Sequence, residues 1–401
     1  MFRNCRSVLF VACGMAAMSM PVAGAAAKGY HVVYTFKDSQ DGDEPHAGLI
    51  RDKQGNLYGT TFSGGAGGFD GNGTVFKLAP GGTKTTLYSF TGGADGNYPG
   101  SSLIMDKSGN LYGTTQQGGD ANCNMNGCGV VFKVTPGGTE TVLYTFTGGN
   151  DGGQPFGALL PDGKGGFYGT TAGAGANRLG VVFDVSSGGT ETVLHAFAGG
   201  SDGDGPQAAL IADASGNLYG TTKQGGGACS GFGCGTVYEI AADGTESVLY
   251  AFTGEADGAN PVASLLRDNA GNLYGTTEFG GDASGCGGTG CGTVFKLSPT
   301  GALSVLYTFT GGNDGGQPVA NVIGDAEGDL YGTTLFGGAD GFGVAFEVSP
   351  DGKERVLHTF TNGEDGANPW GALLKVGKDK FASTAAGGGA TDFGTVFKVK
   401  K

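Results

Sequence analysis

Charge is scarce in this 401-residue chain: Asp, Glu, Lys and Arg together make up 15% of it, and 23 Lys and Arg face 37 Asp and Glu. So little charge argues against an acidic disordered chain, which combines low hydrophobicity with high net charge. The formal net charge of −14 repels phosphate backbones and anionic membrane surfaces, so nucleic acid is not an expected partner. Long hydrophobic runs are missing too. After the first segment none reaches the roughly 18 residues of a membrane-spanning helix. Beyond that segment Arg is limited to Arg51, Arg178, Arg267 and Arg355, too scattered for the Arg cluster of a sialidase, and no G-x-S-x-G, H-E-x-x-H or P-loop occurs.

What is abundant is Gly, 86 residues, with 13 Pro. Gly makes up about a fifth of the chain against a usual value of roughly 7%. Gly at that density argues against a helix-rich fold, because each helical Gly costs about 1 kcal/mol relative to Ala. The chain opens with Met1, Arg3 and Arg6, an apolar stretch from Val8 to Met20, Pro21, and small residues from Val22 to Ala27. This reads as a secretory signal over residues 1–27, cut near Ala25 or Ala27, with lipidation of Cys13 as the alternative.

The remaining residues, 28–401, repeat. Phe36, Phe90, Phe146, Phe197, Phe252, Phe309 and Phe360 close seven copies of one apolar run, such as Val142-Leu143-Tyr144-Thr145-Phe146, spaced 51 to 57 residues apart. After each Phe comes a turn with Asp-Gly-x-x-Pro, an apolar run such as Ala263 to Leu266, Gly-Asn-Leu-Tyr-Gly-Thr-Thr as in Gly271 to Thr277, a Gly-rich loop, and Gly-Thr-Val-Phe-Lys-Leu as in Gly292 to Leu297. Four strand-like runs of four to six residues per copy, each bounded by turn chemistry, predict a seven-bladed β-propeller with four antiparallel strands per blade. A β-helix is the rival, but its coils are shorter and parallel. The chain begins with a lone outer strand, 31–36, and ends with three strands that lack one, so the N-terminal strand is expected to complete blade seven and remove two exposed edges. Copy seven is degenerate, with Lys380 to Thr384 standing where the others read Asn-Leu-Tyr-Gly-Thr.

Gly-Asn-Leu-Tyr-Gly-Thr-Thr, then Gly-Gly, then Gly-Thr-Val-Phe-Lys and the Val-Leu-Tyr-x-Phe strand together resemble the GloVer tandem repeat of secreted bacterial proteins, over about residues 31 to 400. The resemblance implies an exported bacterial protein and brings no established activity with it. Members of that family carry varied surface-sorting tails, whereas this chain stops at Lys401 directly after its last strand, and an unanchored, extracellular or periplasmic protein is expected.

Six Cys lie outside the first segment, as three C-x-x-x-x-C pairs in equivalent Gly-rich loops: Cys123 and Cys128, Cys229 and Cys234, Cys286 and Cys291. Three local disulfides are expected, with pairing across loops as the alternative. A metal site would need four ligands, and each loop offers two thiols with no His nearby. No other metal site and no cofactor is expected.

The seven copies serve as internal controls for function. Asp41, Asp95, Asp151, Asp202, Asp257, Asp314 and Asp365 recur at one position, each before Gly, and are read as turn caps rather than as a calcium-binding ring. The Tyr of Leu-Tyr-Gly-Thr-Thr is expected to pack, with its hydroxyl bonded to a neighbouring blade. His31, His195 and His358 are placed at the Tyr position of outer strands. By contrast the residue after the repeat Pro changes in almost every copy: His46, Gly100, Phe156, Gln207, Val262, Val319 and Trp370. It should open the innermost strand at the mouth of the central channel, with Trp370 and His46 brought together by closure. Asp43, Glu44, His46, Tyr98, Phe156, Gln207 and Trp370 are therefore the candidate ligand-binding residues, aromatic groups beside carboxylates in the manner of a sugar site. The plainer reading of this variation is relaxed constraint at an exposed turn. The expected function is a monomeric secreted scaffold that binds a glycan or cell-surface polymer. One alternative is a polysaccharide lyase or hydrolase with Glu44 or His46 as base and Tyr98 as acid. The other is a purely structural extracellular protein.

Overall fold

The computed structural model of the protein describes residues 29–68, 71–119, 123, 126–227, 229, 233–282 and 284–401. The proposed signal segment and Cys13 lie outside the described residues. Seven four-stranded antiparallel sheets follow one another around a ring. Blade one runs outward from Ile50–Arg51 through Leu57–Thr61 and Thr74–Leu78 to Lys84–Ser89. Blade seven contains Leu374–Gly377, Lys380–Ala385 and Thr395–Lys400, and its outermost strand is Tyr30–Thr35 from the other end of the chain. Tyr30 pairs with Val399 and Thr35 with Thr395, so the ring is closed as the sequence predicts.

The core lies between blades. The Phe that ends each outer run meets the third-strand aromatic of the next blade edge to face: Phe36 with Phe76, Phe90 with Phe132, Phe197 with Tyr238, Phe360 with Phe397. The centroids of these pairs are 5.4, 5.0, 5.1 and 5.1 Å apart. The other three junctions repeat the pair. Each pair contributes about 0.5–1.5 kcal/mol beyond its buried area. The Gly inside Leu-Tyr-Gly-Thr-Thr makes room for the third-strand ring: a Cβ on Gly275 would come within 2.6 Å of Phe295.

A second ring of contacts lies nearer the axis. The first Thr of each Gly-Thr-Thr donates its hydroxyl to a backbone carbonyl of the next blade's innermost segment. Thr170 bonds Ala208 at 2.9 Å, Thr276 bonds Ala320 at 3.3 Å, and Thr384 of blade seven bonds Ala47 of blade one at 2.9 Å. This corrects the expected strand lengths. Six of the innermost runs pair over two residues only, as in Ile50–Arg51. Upstream of those residues the chain leaves the strand ladder and bonds both to the neighbouring blade and to its own, as Ser101 accepts from the Thr114 hydroxyl at 3.0 Å.

Two side-chain expectations also change. The Tyr hydroxyl of Leu-Tyr-Gly-Thr-Thr stays within its own blade, donating to the Asp of the hairpin just before it: Tyr58 to Asp52 at 3.0 Å, Tyr112 to Asp106 at 3.0 Å, Tyr274 to Asp268 at 3.1 Å. A hairpin partner six residues away in sequence lies closer than anything on the next blade. His31 does not occupy the Tyr position. Tyr34 does, donating to Asp41 at 2.6 Å, while His31 lies exposed at the strand's start.

The three disulfides join Cys123 to Cys128, Cys229 to Cys234 and Cys286 to Cys291, with Cα separations of 5.5, 5.6 and 5.4 Å. Their sulfurs cover Gly148, Gly254 and Gly311 at the start of the next connection, where a Cβ would collide with them. No helix among the described residues is long and apolar enough to cross a membrane.

Candidate functional site

Two loops from each blade build the mouth of the ring, the turn before the innermost strand and the residues after Gly-Thr-Thr. The residue before each repeat Pro takes a left-handed backbone: Glu44, Tyr98, Gln154, Gly205, Asn260, Gln317 and Asn368 all have φ between 51° and 65°. For a residue other than Gly this costs about 1–2 kcal/mol. Backbone hydrogen bonds on both sides offset it. The amide of Tyr98 donates to the Asn72 carbonyl of blade one at 3.0 Å, and its carbonyl accepts from the Gln116 amide of its own blade at 3.1 Å. The same turn thus ties two blades together and sets a variable side chain beside the mouth.

Between blades seven and two, aromatic rings line up. Trp370 and His46 stand at the position after Pro in blades seven and one, with ring centroids 5.2 Å apart. His46 meets Phe62 at 4.9 Å, and Phe62 stacks on Tyr98 of blade two at 4.7 Å and 9° between planes. Trp370 keeps 40% of its surface exposed. It and Phe336, in the loop after Gly-Thr-Thr of blade six, are the exposed large hydrophobic side chains among the described residues. Burial pushes the pKa of His46 down to about 4, so its imidazole is neutral at neutral pH. Its ring nitrogens have no hydrogen-bond partner among the described residues. Burial raises the carboxyl of Glu44, with Asp43 adding to the effect, and burial raises that of Asp43.

Of the residues singled out from sequence, His46, Tyr98 and Trp370 belong to one run of rings, and Asp43 and Glu44 lie beside it in the same turn. Phe156 and Gln207 occupy the equivalent position in blades three and four and make no ring contact with it. Phe62 links His46 to Tyr98 and was missed. It directly follows Gly-Thr-Thr, where the copies read Phe62, Gln116, Ala172, Lys223, Glu278, Leu335 and Ala386. Variation among copies, the same signal that marks His46 and Trp370, identifies this position as well.

The recurring Asp residues are engaged elsewhere. Asp151 accepts from the Tyr144 hydroxyl at 2.9 Å, the Thr147 amide at 2.7 Å and the Thr147 hydroxyl at 2.7 Å. His195 and His358 replace the Tyr in two outer strands and bond Asp202 and Asp365 at 2.9 and 3.0 Å. One such clamp has the makings of a metal set, since ligand atoms of His195, Asp202 and Glu246 lie within 4.8 Å of one another.

A family model for the Gloeobacter/Verrucomicrobia repeat matches residues 21–232, 121–288 and 282–401. No curated protein sequence matches the chain. Among solved structures, the extracellular domain of BT4673 from B. thetaiotaomicron is similar with a TM-score of 0.56 and 8% identity, over 92% of this chain and 40% of that one. The gluconolactonase XC5397 from Xanthomonas campestris is similar at a TM-score of 0.44 and 14% identity, over 73% of this chain and 82% of that one. A luciferin-regenerating enzyme is similar at 0.47 and 14%, over 75% and 90%. At 8% identity the likeness to the BT4673 domain is one of fold alone.

Proposed function

The chain belongs to the Gloeobacter/Verrucomicrobia repeat family, and from that premise we propose that it is a secreted propeller that binds a glycan or cell-surface polymer at its mouth. The run Trp370–His46–Phe62–Tyr98 supports this reading. A run of adjoining aromatic rings with an exposed Trp at one end suits the apolar face of a sugar ring, and the carboxyl groups of Asp43 and Glu44 beside them suit its hydroxyls. Binding without turnover fits the chemistry of the turn, because burial lowers His46 to a pKa of about 4, which makes it a weak base, and no carboxylate among the described residues orients its ring.

Trp370 is the single Trp of the chain and serves as the probe. Titrating the purified protein with bacterial and plant polysaccharide fragments, with and without calcium, should give a saturable shift in Trp emission and no product. Replacing Phe62 by Ala should weaken that binding by roughly tenfold, the worth of one stacked ring. A flat emission signal across the whole panel would remove the reading in favour of a structural extracellular protein. Product formation abolished by His46→Ala or Glu44→Ala would replace it with an enzyme.

A further inference from the structure

Each innermost strand runs from the mouth to a hairpin at the other end of the ring, so Arg51 lies at the end opposite His46. There, between blades seven and one, a cavity of about 450 Å³ opens. Arg51, His31, Lys380, Lys398 and Lys400 line it, and no Asp or Glu does. In a chain of net charge −14 this is a local excess of cations. Several other basic side chains are neutralised: Lys84 pairs with Asp41, Arg355 with Glu347, Lys401 with Asp325 and Asp329. Lys380, Lys398 and Lys400 have no ion-pair partner among the described residues.

The departures of blade seven from the repeat explain both the space and the charge. Aligned residue by residue with blade one, Val376 replaces Asp52, Lys380 replaces Asn56 and Ala382 replaces Tyr58. Elsewhere the third-strand Lys lies over that Tyr ring, Lys77 over Tyr58 and Lys296 over Tyr274, both at 5.7 Å. Beside Ala382 the equivalent Lys398 has no ring to cover, and the volume of a phenol is vacated. The junction of blades four and five is the internal control. Its cavity is about 190 Å³ and keeps Tyr219, with Glu239 in place of Lys398. Arg267 there, the counterpart of Arg51, reaches Asp213 at 4.0 Å. Arg51 finds only the Val376 carbonyl, at 2.7 Å, where that Asp is missing. Small-molecule pockets fall at about 300–1,000 Å³, a range that includes the first cavity and excludes the second. The field is felt by His31, whose pKa is lowered by burial and then by Lys398 and Lys380.

We propose that this cavity binds a small ligand bearing a carboxylate or phosphate oxyanion, a sugar acid or sugar phosphate by class, anchored by Lys398, Lys380 and Arg51. Arg offers a planar fork to such a group and the two Lys offer mobile point charges. The site is separate from the aromatic mouth, at the other end of the molecule.

Calorimetric titration of the purified protein at low ionic strength with inorganic phosphate, glucuronate and glucose tests this. Saturable binding of phosphate or of glucuronate, and none of glucose, is expected, and the preferred anion tells a phosphate ligand from a sugar acid. Lys398→Glu and Ala382→Tyr each install a residue found at that position in other blades, so both variants should fold. The first reverses a charge, and the second refills the cavity without changing charge. Each should weaken binding by roughly tenfold or more, the worth of one charge-assisted hydrogen bond. Trp370→Ala should leave it unchanged. Heat from neither anion, binding that survives Ala382→Tyr, or binding that disappears in Trp370→Ala would overturn the proposal.

Discussion

At the scale of single residues, the repeat makes its own control experiments. Six blades place Phe on the third strand to meet the neighbouring outer-run Phe, and blade four places Tyr238. Its ring packs like the others, 5.1 Å from Phe197, but its hydroxyl is buried without a hydrogen-bond partner. An unsatisfied buried hydroxyl costs about 1–3 kcal/mol. Tyr238→Phe should therefore stabilise the protein by about 1 kcal/mol, a rise that thermal unfolding would register. No change, or a loss, would mean that the hydroxyl is satisfied in solution. The same comparison explains which site residues were legible. His46 and Trp370 stand out because they vary where their surroundings repeat. Phe62 varies just as much, but lies at the edge of the Gly-Thr-Thr motif, where attention to the motif hides it.

Outer strands carry a feature that belongs to whole elements. Glu140, Glu191 and Glu354 begin the outer strands of blades two, three and six, close to the turn Asp residues Asp95, Asp151 and Asp314. Burial first, and then the neighbouring Asp, raises each Glu to about pKa 7 from an ordinary 4.5. One oxygen of each is buried without a partner. Blade one places Lys84 at this point and forms an ion pair with Asp41 at 2.9 Å instead. For a carboxyl raised on folding, the unfolded chain ionises first, so stability falls as pH rises from the unfolded value towards 7 and then levels off. Replacing the three Glu by Gln should raise stability at pH 8 and leave it unchanged at pH 4. These groups are half-exposed, so after solvent screening the gain is about 1 kcal/mol per site. Urea unfolding at the two pH values checks it, and equal gains at both would rule out ionisation of these carboxyls as the cause.

For the whole molecule, closure is the decisive contact. Tyr30–Thr35 supplies the outer strand of blade seven, and Phe36 carries the core onward to Phe76 of blade one. Thr384 crosses the same junction to Ala47. Removing residues 29–36 would leave Thr395–Lys400 as an unpaired edge and strip the cover from Phe76 and Phe397. Loss of a buried Phe alone costs about 3–5 kcal/mol, and an exposed edge invites aggregation. The truncated chain should show no cooperative calorimetric transition and should scatter light as it associates. A monomer with an intact transition would mean that the ring holds without its latch.

Period, turn chemistry and composition alone determined the blade number, the strand count per blade, the closure and the three disulfides, because each copy states the same local rules and seven copies must share one solution. Tyr34 lies two residues before Phe36, as Tyr144 does before Phe146, so spacing along the chain already excludes His31 from the Tyr position. The Tyr hydroxyls and the length of the innermost strands, by contrast, were decided only in three dimensions. Each depends on which of two polar partners lies nearer once neighbouring blades meet, and spacing along the chain does not encode that choice. The run of rings from Trp370 to Tyr98 and the basic cavity beside Ala382 arise in the same way. They unite residues from both ends of the chain, more than 270 positions apart, and come together only because the N-terminal strand closes the seventh blade.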